Sequence, residues 1–238
     1  MNSNNIVWKD HSTPVSVHFD DVYFNDDGAI AETMYVFIEG NNLNERFLAH
    51  TQSVFTIGET GFGSGLNFLI VWQQFMQFRQ QYPNHILKNL QFVSCEKYPL
   101  TLNELKEIHE TILRDTHLLN LAKQLQSRWP SAKTLFGDVS LTILFLDIHQ
   151  FANTLSSLNM IIDAWFFDGF SPAKNAEMWS SELFSSLFPI TATNGTFATF
   201  TAAGQVKRNL INAGFTVKKR TGYGKKREML IGYKNNLE

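Results

Sequence analysis

The sequence predicts an α/β fold with a mostly parallel central sheet, an antiparallel C-terminal hairpin and a small β-rich N-terminal element. Three observations predict it. From residue 53 onward, apolar runs typical of buried strands alternate with helical segments. A glycine-rich loop follows the first of these strands, as in folds that bind nucleotide ligands. Near the C-terminus, two apolar segments flank a Gly-rich turn, which is typical of a hairpin.

The predicted parallel strands are apolar segments that each lead into a helix: Ser53–Glu59, Leu90–Glu96, Leu141–Asp147, Asp163–Asp168 and Gly195–Thr201. The predicted helices are Gly65–Tyr82, Leu100–Gln126, His149–Leu158, Ala176–Phe188 and Gly204–Ala213. FTVKKRTGYG and REMLIGYK form the terminal hairpin. Five parallel strands followed by such a hairpin fit the Rossmann-like class I sheet of S-adenosylmethionine-dependent methyltransferases better than a standard dinucleotide-binding sheet.

The segment from Val15 to Phe47 differs from the rest of the chain. VYFNDDGAI and TMYVFIEGNN are short β-rich runs interrupted by Asp-Gly and Gly-Asn turn signals. We therefore expect residues 1–50 to form a β-hairpin-rich extension. Residues 51–238 are expected to form the main domain, and the two parts together one compact unit.

Composition narrows the classes of function. Of the 238 residues, 44% are hydrophobic and 18% charged, which is typical of a globular protein. The chain has neither a signal-peptide pattern nor an apolar run long enough to span a bilayer. The single cysteine, Cys95, excludes an intramolecular disulfide and a cysteine metal cluster, and the seven histidines lack metal-ligand spacing. We expect a cytoplasmic protein with no metal and no membrane partner.

Charge is distributed unevenly along the chain. Between Lys207 and Lys234 there are nine Lys or Arg residues and one acid, Glu228. Between Met1 and Thr60, nine acids accompany two bases. A basic end lets a nearly neutral chain bind a polyanion such as nucleic acid. The alternative is a solvated surface that happens to be basic.

The strongest local motif is the glycine-rich loop Glu59-Thr60-Gly61-Phe62-Gly63-Ser64-Gly65, at a predicted strand–helix junction. Glycine permits positive φ and close approach of a ligand to the backbone, and the helix N-terminus offers free N–H groups. Such a loop serves dinucleotides or S-adenosylmethionine, or is simply a tight turn.

An acid ends each of the first four predicted strands: Glu59, Glu96, Asp147 and Asp168. The carboxyl ends of parallel strands meet at the sheet edge where ligands bind. At the second strand, the Glu96 carboxylate can accept from both hydroxyls of a ribose. At the third, Asp147 can accept from an adenine amino group. A chance arrangement of surface acids is the alternative.

The fourth strand leads into Asp168-Gly169-Phe170-Ser171-Pro172. Ser-Pro favours a turn with extended backbone before the proline, which would hold Asp168 on a rigid loop. A carboxylate there can orient an amine nucleophile and accept its proton. Phe170 would stack on a base or shield the sulfonium, or would simply be packed.

Several of these motifs resemble one known family. ETGFGSGLNFL, DAWFFDGFSPAKNAEMW, FATFTAAGQVKRNL and GYGKKREMLIG resemble the methyltransferase domain of the MnmC family of bacterial tRNA-modifying enzymes. TPVSVHFDDVYFNDDGAIAETMYVFIEGN resembles its opening segment, so the resemblance covers nearly the whole chain in collinear order. It implies N-methylation of the 5-aminomethyl group of the wobble (2-thio)uridine in tRNA, giving 5-methylaminomethyl-2-thiouridine, with S-adenosyl-L-methionine as donor.

The resemblance also implies roles for particular residues. Asp168 and Phe170 would be catalytic. The cofactor would contact Glu59, Gly61, Phe62, Gly63, Gly65, Asn67, Glu96, Lys97, Asp147 and Asp168. The tRNA anticodon stem-loop would bind Lys174, Lys207, Arg208, Lys218, Lys219, Arg220, Lys225, Lys226 and Arg227. At Asp147 the chain reads Phe-Leu-Asp-Ile, where a Phe-Gly-Asp-like motif is expected.

Three interpretations stay open. In many MnmC members a flavin-dependent domain, which would bring FAD, follows the methyltransferase domain. The chain is then either a stand-alone methyltransferase or a fragment, with Leu237-Glu238 as a candidate cloning remnant. A spermidine-synthase-like aminopropyl transferase would act on a polyamine and give the basic hairpin no purpose. A non-catalytic tRNA-binding module would bind no cofactor.

Overall fold

The computed structural model describes residues 5–10, 13–24 and 28–235. Its strands are β1 (Ile6–Lys9), β2 (Thr13–Ser16), β3 (Val54–Thr60), β4 (Asn89–Cys95), β5 (Lys133–Phe136), β6 (Val139–Leu144), β7 (Ile162–Phe166), β8 (Thr191–Thr199), β9 (Thr216–Thr221) and β10 (Glu228–Tyr233). Its α-helices are α1 (Ala29–Thr33), α2 (Leu43–Ala49), α3 (Leu66–Gln81), α4 (Leu102–Ile112), α5 (Thr116–Gln126), α6 (Ile148–Ser157), α7 (Ser181–Leu187) and α8 (Gly204–Asn212). A π-helical turn spans Met34–Glu39 and a 3-10 turn spans Ala176–Trp179.

The main sheet has eight strands in the order β5–β6–β4–β3–β7–β8–β10–β9. Strands β6, β4, β3, β7 and β8 are mutually parallel, and β10 lies antiparallel between β8 and β9. The predicted class I sheet with its C-terminal hairpin is thus confirmed. Because β4 and β7 flank β3 on opposite sides, the strand order reverses at β3. Such a reversal opens a crevice beyond the carboxyl ends of the strands.

Apolar side chains cover both faces of this sheet. One buried cluster joins the sheet to α2, α3, α4 and α5, and a second joins it to α6, α7 and α8. Neighbouring residues of β7 belong to different clusters, since Phe166 packs in the first and Trp165 in the second. This alternation follows from the two-residue period of a strand buried on both sides. Within the described residues, no helix has the length and apolar character required to cross a bilayer.

The N-terminal region contains a small sheet, but its strands lie earlier than predicted. β1 pairs antiparallel with β2, and Val15 forms an isolated bridge to Val22. The expectation of β-structure in TMYVFIEGNN is wrong, because residues 29–49 are mostly helical. The β-branched and aromatic residues that suggested strands are buried instead against the main core, where Phe37 stacks on Phe166 at 4.9 Å. Packing therefore overrides local strand propensity here.

Two helix boundaries and one strand in the main domain also differ from prediction. The single helix expected over Leu100–Gln126 is two helices, because Asp115 caps the N-terminus of α5 by accepting from the Leu118 N–H at 2.8 Å. Ser180 similarly starts α7 after the 3-10 turn. Strand β5 was not predicted. It pairs antiparallel with β6 through the Gly137-Asp138 turn, a hairpin signal present in the sequence.

Two predictions fall wholly or partly outside the described residues. Leu237 and Glu238 lie outside them, as do residues 25–27 of the predicted N-terminal hairpin. The division at residue 50 stays a prediction. The described part of the N-terminal region shares one apolar cluster with the main sheet, since Ile6 and Phe37 belong to the same core as Phe166.

Candidate active site

A cavity of about 370 Å³ lies beyond the carboxyl ends of β3, β4 and β7. Predicted site residues from distant parts of the chain line it together: Gly61, Phe62, Gly63, Asn67, Glu96, Lys97, Asp147, Asp168, Phe170 and Lys226. Strand topology explains this convergence, because each strand delivers the residues after its carboxyl end to the same edge.

The glycine-rich loop turns tightly between β3 and α3. Gly63 and Gly65 have φ of +53° and +72°, backbone angles that residues other than glycine rarely adopt. A Cβ at Gly65 would also lie 2.7 Å from the Phe62 ring. The Gly63 N–H donates to Glu96 Oε2 at 2.9 Å, which ties the loop to the end of β4.

Glu96 holds a carboxylate at the wall of the cavity. Its other oxygen accepts from the Tyr98 N–H at 2.8 Å. Burial raises the pKa of Glu96, while the backbone N–H groups of Gly63 and Tyr98 act in the opposite direction. The two backbone bonds fix the orientation of the carboxylate and leave it with lone pairs for hydroxyl donors.

Five polar residues form a hydrogen-bonded group centred on Asn67, here called the Asn67 cluster: Thr33, Glu59, Asn67, Ser94 and Asp168. Asn67 Nδ2 donates to Glu59 Oε1 at 2.9 Å and to Asp168 Oδ2 at 2.7 Å. Its Oδ1 accepts from Thr33 Oγ1 at 2.9 Å, and Ser94 Oγ donates to Glu59 Oε2 at 2.7 Å. One amide group therefore bridges two carboxylates, one on β3 and one in the loop after β7.

Glu59 lies behind the cavity wall rather than on it. Its side chain is fully buried, and neither Glu59 nor Gly65 lines the cavity. Burial, and secondarily the charge of Asp168, raise the pKa of Glu59 well above its usual range. The structure thus places Glu59 behind Asn67, where it orients that amide, and not where a direct cofactor contact was expected.

Asp168 is held firmly at the opposite side of Asn67. Its Oδ1 accepts from the Gly169 N–H at 2.8 Å, and its backbone carbonyl accepts from Thr60 Oγ1 at 2.8 Å. Burial raises the pKa of Asp168 to about 6, against the lowering by the donors Gly169 and Asn67. The carboxylate is therefore ionised at neutral pH, yet basic enough to accept a proton from an amine.

An aromatic wall stands beside Asp168. Phe170 stacks on Phe19 with ring centroids 4.6 Å apart and meets Tyr23 edge-on at 5.2 Å. The segment carrying Phe19 is bound to the loop after β7, since the Ser171 N–H donates to Asp21 Oδ2 at 2.8 Å. Sequence reasoning missed Phe19 and Tyr23 as site residues, although both lie in the segment that resembles the family's opening.

Lys97 and Asp147, both predicted to bind the cofactor, form a salt bridge of 2.6 Å at the cavity. Asp147 also caps α6 by accepting from the His149 N–H at 3.1 Å. Lys97, and secondarily the His149 N–H, lower the pKa of Asp147. Asp147 thus has structural partners of its own, and its contact with adenine stays a prediction.

The chain does contain the Phe-Gly-Asp pattern, at Phe136–Asp138 in the β5–β6 turn. There Asp138 lies 3.6 Å from Arg79 and does not line the cavity.

Asp147, His149 and Glu177 form a small cluster of groups that could bind a metal ion, with their ligand atoms within 4.8 Å of one another. The two acids are ion-pair partners for a protonated His149. The expectation of no metal stays a prediction.

The nine cations predicted to bind tRNA fall into two groups. Four form ion pairs: Lys174 with Asp20, Lys219 with Glu228, Arg220 with Glu39 and Lys226 with Glu32, at 2.6–2.8 Å. The remaining five form no ion pair within the described residues. Lys207 is partly buried, and the other four are exposed: Arg208, Lys218, Lys225 and Arg227. Lys226 differs from the rest because it lines the cavity.

Comparison with known proteins shows the family to which the chain belongs. A profile described as S-adenosyl-L-methionine-dependent methyltransferase matches residues 103–235, more than half of the chain. The chain belongs to this family. The resemblance to the MnmC methyltransferase domain is confirmed. The prediction of a methyltransferase that depends on S-adenosylmethionine is confirmed as well.

Two solved structures match the chain, and the first of them has the same fold. The crystal structure of MNMC2 from Aquifex aeolicus matches with a TM-score of 0.78 at 22% identity, covering 100% of this chain and 74% of that chain. Precorrin-6y C5,15-methyltransferase from Geobacter metallireducens matches with a TM-score of 0.49 at 12% identity, covering 98% of this chain and 100% of that chain.

Proposed function

We propose that this methyltransferase N-methylates the 5-aminomethyl group of the wobble (2-thio)uridine in tRNA, giving 5-methylaminomethyl-2-thiouridine. The observation that carries the proposal is Asp168, an anchored carboxylate with a pKa raised to about 6, in the same cavity as the glycine-rich loop and Glu96. The resemblance to MnmC supplies the identity of the amine. We also propose a cytoplasmic location, because the proposed tRNA substrate is found there.

The cavity suits an adenosyl cofactor. Glu96 presents an oriented carboxylate for ribose hydroxyls, and Gly61 and Gly63 expose backbone without side chains. The α3 N-terminus follows directly after Gly65. S-adenosylmethionine supplies, when bound, a methyl group already activated on a sulfonium. Much of the rate enhancement then comes from positioning, since little further activation is required.

Asp168 acts on the nucleophile. A protonated aminomethyl group has no lone pair, so the reaction requires the neutral amine. Asp168 would orient that amine and accept the proton that the nitrogen loses when it gains the methyl group. The hydrogen bonds from Asn67 and Gly169 hold the carboxylate in one rotamer, so that it does not reorient during the reaction.

The aromatic wall suits the uracil ring. Phe170, Phe19 and Tyr23 present π-faces and edges next to Asp168, on which an unstacked anticodon base can pack. The exposed cations on α8 and on the β9–β10 hairpin would bind the phosphate backbone of the anticodon stem-loop.

Family membership favours methyl transfer over the aminopropyl transfer considered above. A non-catalytic tRNA-binding module would leave the polar groups of the cavity without a ligand. Titration of the protein with S-adenosylhomocysteine tests this alternative, because a module of that kind would show no binding.

The proposal is tested by incubating the protein with S-adenosylmethionine and tRNA that carries 5-aminomethyl-2-thiouridine. Mass spectrometry of the digested nucleosides should show conversion to 5-methylaminomethyl-2-thiouridine. Matched tRNA with unmodified uridine at the wobble position is the control. S-adenosylhomocysteine binding without any conversion, or methylation at another nucleotide, would reject this substrate while leaving the methyltransferase assignment intact.

A further inference from the structure

One ion pair in the cavity is not used by the mechanism above. Lys226, in the turn between β9 and β10, lies 2.6 Å from Glu32 Oε1 on α1. Its ammonium also lies 4.5 Å from the centroid of the Phe200 ring. Lys226, Glu32 and Phe200 all line the cavity, and the Glu32 side chain is only 15% exposed. The Lys226 side chain is 36% exposed, and its ammonium is held at the cavity by Glu32 and by the Phe200 ring.

Side-chain and backbone contacts show the order of the groups along the cavity. Lys97 and Asp147 form one end, next to Glu96, which holds Gly63. Asn67 follows on α3, one turn after Gly63, and bonds to Asp168 and Thr33. Glu32 directly precedes Thr33 on α1. The Glu32–Lys226 pair therefore lies beyond Asn67, on the side of the cavity away from Asp147.

A ligand whose ribose binds at Glu96 would extend its remaining groups past the glycine-rich loop toward Asn67. In S-adenosylmethionine those groups end in an amino-acid head, a zwitterion with an α-carboxylate and an α-ammonium. Among the described residues that line the cavity there are two lysines, Lys97 and Lys226. Both are paired with an acid, and Lys226 is the one at the end beyond Asn67. A buried carboxylate without a cation would be costly, so the head requires a positive partner.

We propose that Lys226 and Glu32 form the binding site for this amino-acid head, with Lys226 binding the α-carboxylate and Glu32 the α-ammonium. Each member of the pair would face the opposite charge of the ligand while staying close to its present partner. The inference rests on the cofactor of the family and not on the tRNA substrate, so failure of the wobble-uridine proposal would leave it standing.

Calorimetry with two ligands tests the inference without measuring turnover. S-adenosylhomocysteine has the amino-acid head, whereas 5′-methylthioadenosine has the adenosine and sulfur but no head. K226M should weaken binding of S-adenosylhomocysteine by roughly tenfold to thirtyfold, the loss expected for one charge-assisted hydrogen bond. Its affinity for 5′-methylthioadenosine should stay within about twofold of wild type, because no contact to the adenosine changes.

K226R keeps the positive charge and should retain most of the affinity. K225M is the matched control, because the neighbouring Lys225 is exposed and does not line the cavity, and it should bind both ligands as wild type does. E32Q provides a second test if K226M does not fold, and should weaken S-adenosylhomocysteine severalfold with 5′-methylthioadenosine unchanged. Unchanged affinity of K226M for S-adenosylhomocysteine, or equal loss for both ligands, would overturn the proposal. Loss of tRNA binding alone in K226M would assign Lys226 to the tRNA.

Discussion

The Asn67 cluster and the C-terminal hairpin, Thr216–Tyr233, are both polar in sequence, but the structure uses their polarity in opposite ways. In the cluster, side chains from α1, β3, α3, β4 and the loop after β7 are hydrogen-bonded to one another at 2.7–2.9 Å. On the hairpin, Lys219 and Arg220 are in ion pairs, while Lys225 is exposed and has no ion pair within the described residues.

Burial separates the polar residues that act individually from those that act through their total charge. Water is largely excluded from the cluster, so each hydrogen bond is strong there and each unsatisfied group costly. Charges on the hairpin are screened by salt and solvent, and act mainly through their sum. Single substitutions should therefore have large effects in the cluster and small ones on the hairpin.

The largest effect is expected for Asp168→Asn. The amide cannot accept the proton of the amine, so turnover should fall by about 100-fold or more. Affinity for S-adenosylhomocysteine should fall much less than turnover, because the amide keeps the side-chain size and loses only one of the hydrogen bonds from Asn67 and Gly169. Single-turnover kinetics with tRNA and calorimetry with the cofactor product measure the two quantities. Turnover equal to wild type would remove Asp168 from the mechanism.

Asn67→Leu should destabilise the fold by about 3 kcal/mol, because it leaves the Glu59 and Asp168 carboxylates without their shared donor. Urea unfolding measures this change. Gln77→Ala, at an exposed position of the same helix, is the control, with an expected change below about 0.5 kcal/mol. Similar free energies of unfolding for the two variants would show that the cluster is not tightly coupled.

Turnover should depend on pH through Asp168. Its pKa is raised to about 6, so below this pH the carboxyl is protonated and cannot accept a further proton. Below that value the rate should rise by roughly a hundredfold per pH unit, because both Asp168 and the substrate ammonium must lose a proton. Above it the rise should be roughly tenfold per pH unit until the amine is neutral. The ¹³C carboxyl resonance of Asp168 should titrate with the same midpoint. A midpoint near the usual value for aspartate would contradict the effect of burial.

The smallest effects are expected on the hairpin. Lys225→Ala should weaken tRNA binding by about threefold and lower the slope of log affinity against log salt by about one, as for one lost phosphate contact. Replacing both Lys219 and Glu228 by Ala removes a neutral pair and should change the affinity by less than about twofold. Filter binding at several salt concentrations compares them. Equal losses would mean that the pair opens to contact the tRNA.

The strand-end acids could be predicted because their positions follow from local patterns. Glu59, Glu96 and Asp168 follow or end apolar strands, and parallel topology brings strand ends together. Their separate tasks could not be predicted. Glu59 points into the core and Asp168 into the cavity. That distinction depends on how β3, β4 and β7 pack around Asn67, which lies far from Asp168 in sequence.

The helices of residues 29–49 show the same limit. Their β-branched and aromatic residues indicate strands when considered locally, yet they are buried against α3 and β7. The class I sheet, the glycine-rich loop and the family could be predicted from the sequence, because they depend on periodicity and on contiguous motifs. Folding was required to show that Asn67 joins two carboxylates and that Lys226 pairs with Glu32 at the cavity. The contacts of Asn67 with Asp168 and of Lys226 with Glu32 link residues 101 and 194 positions apart, and their geometry is set by packing rather than by spacing.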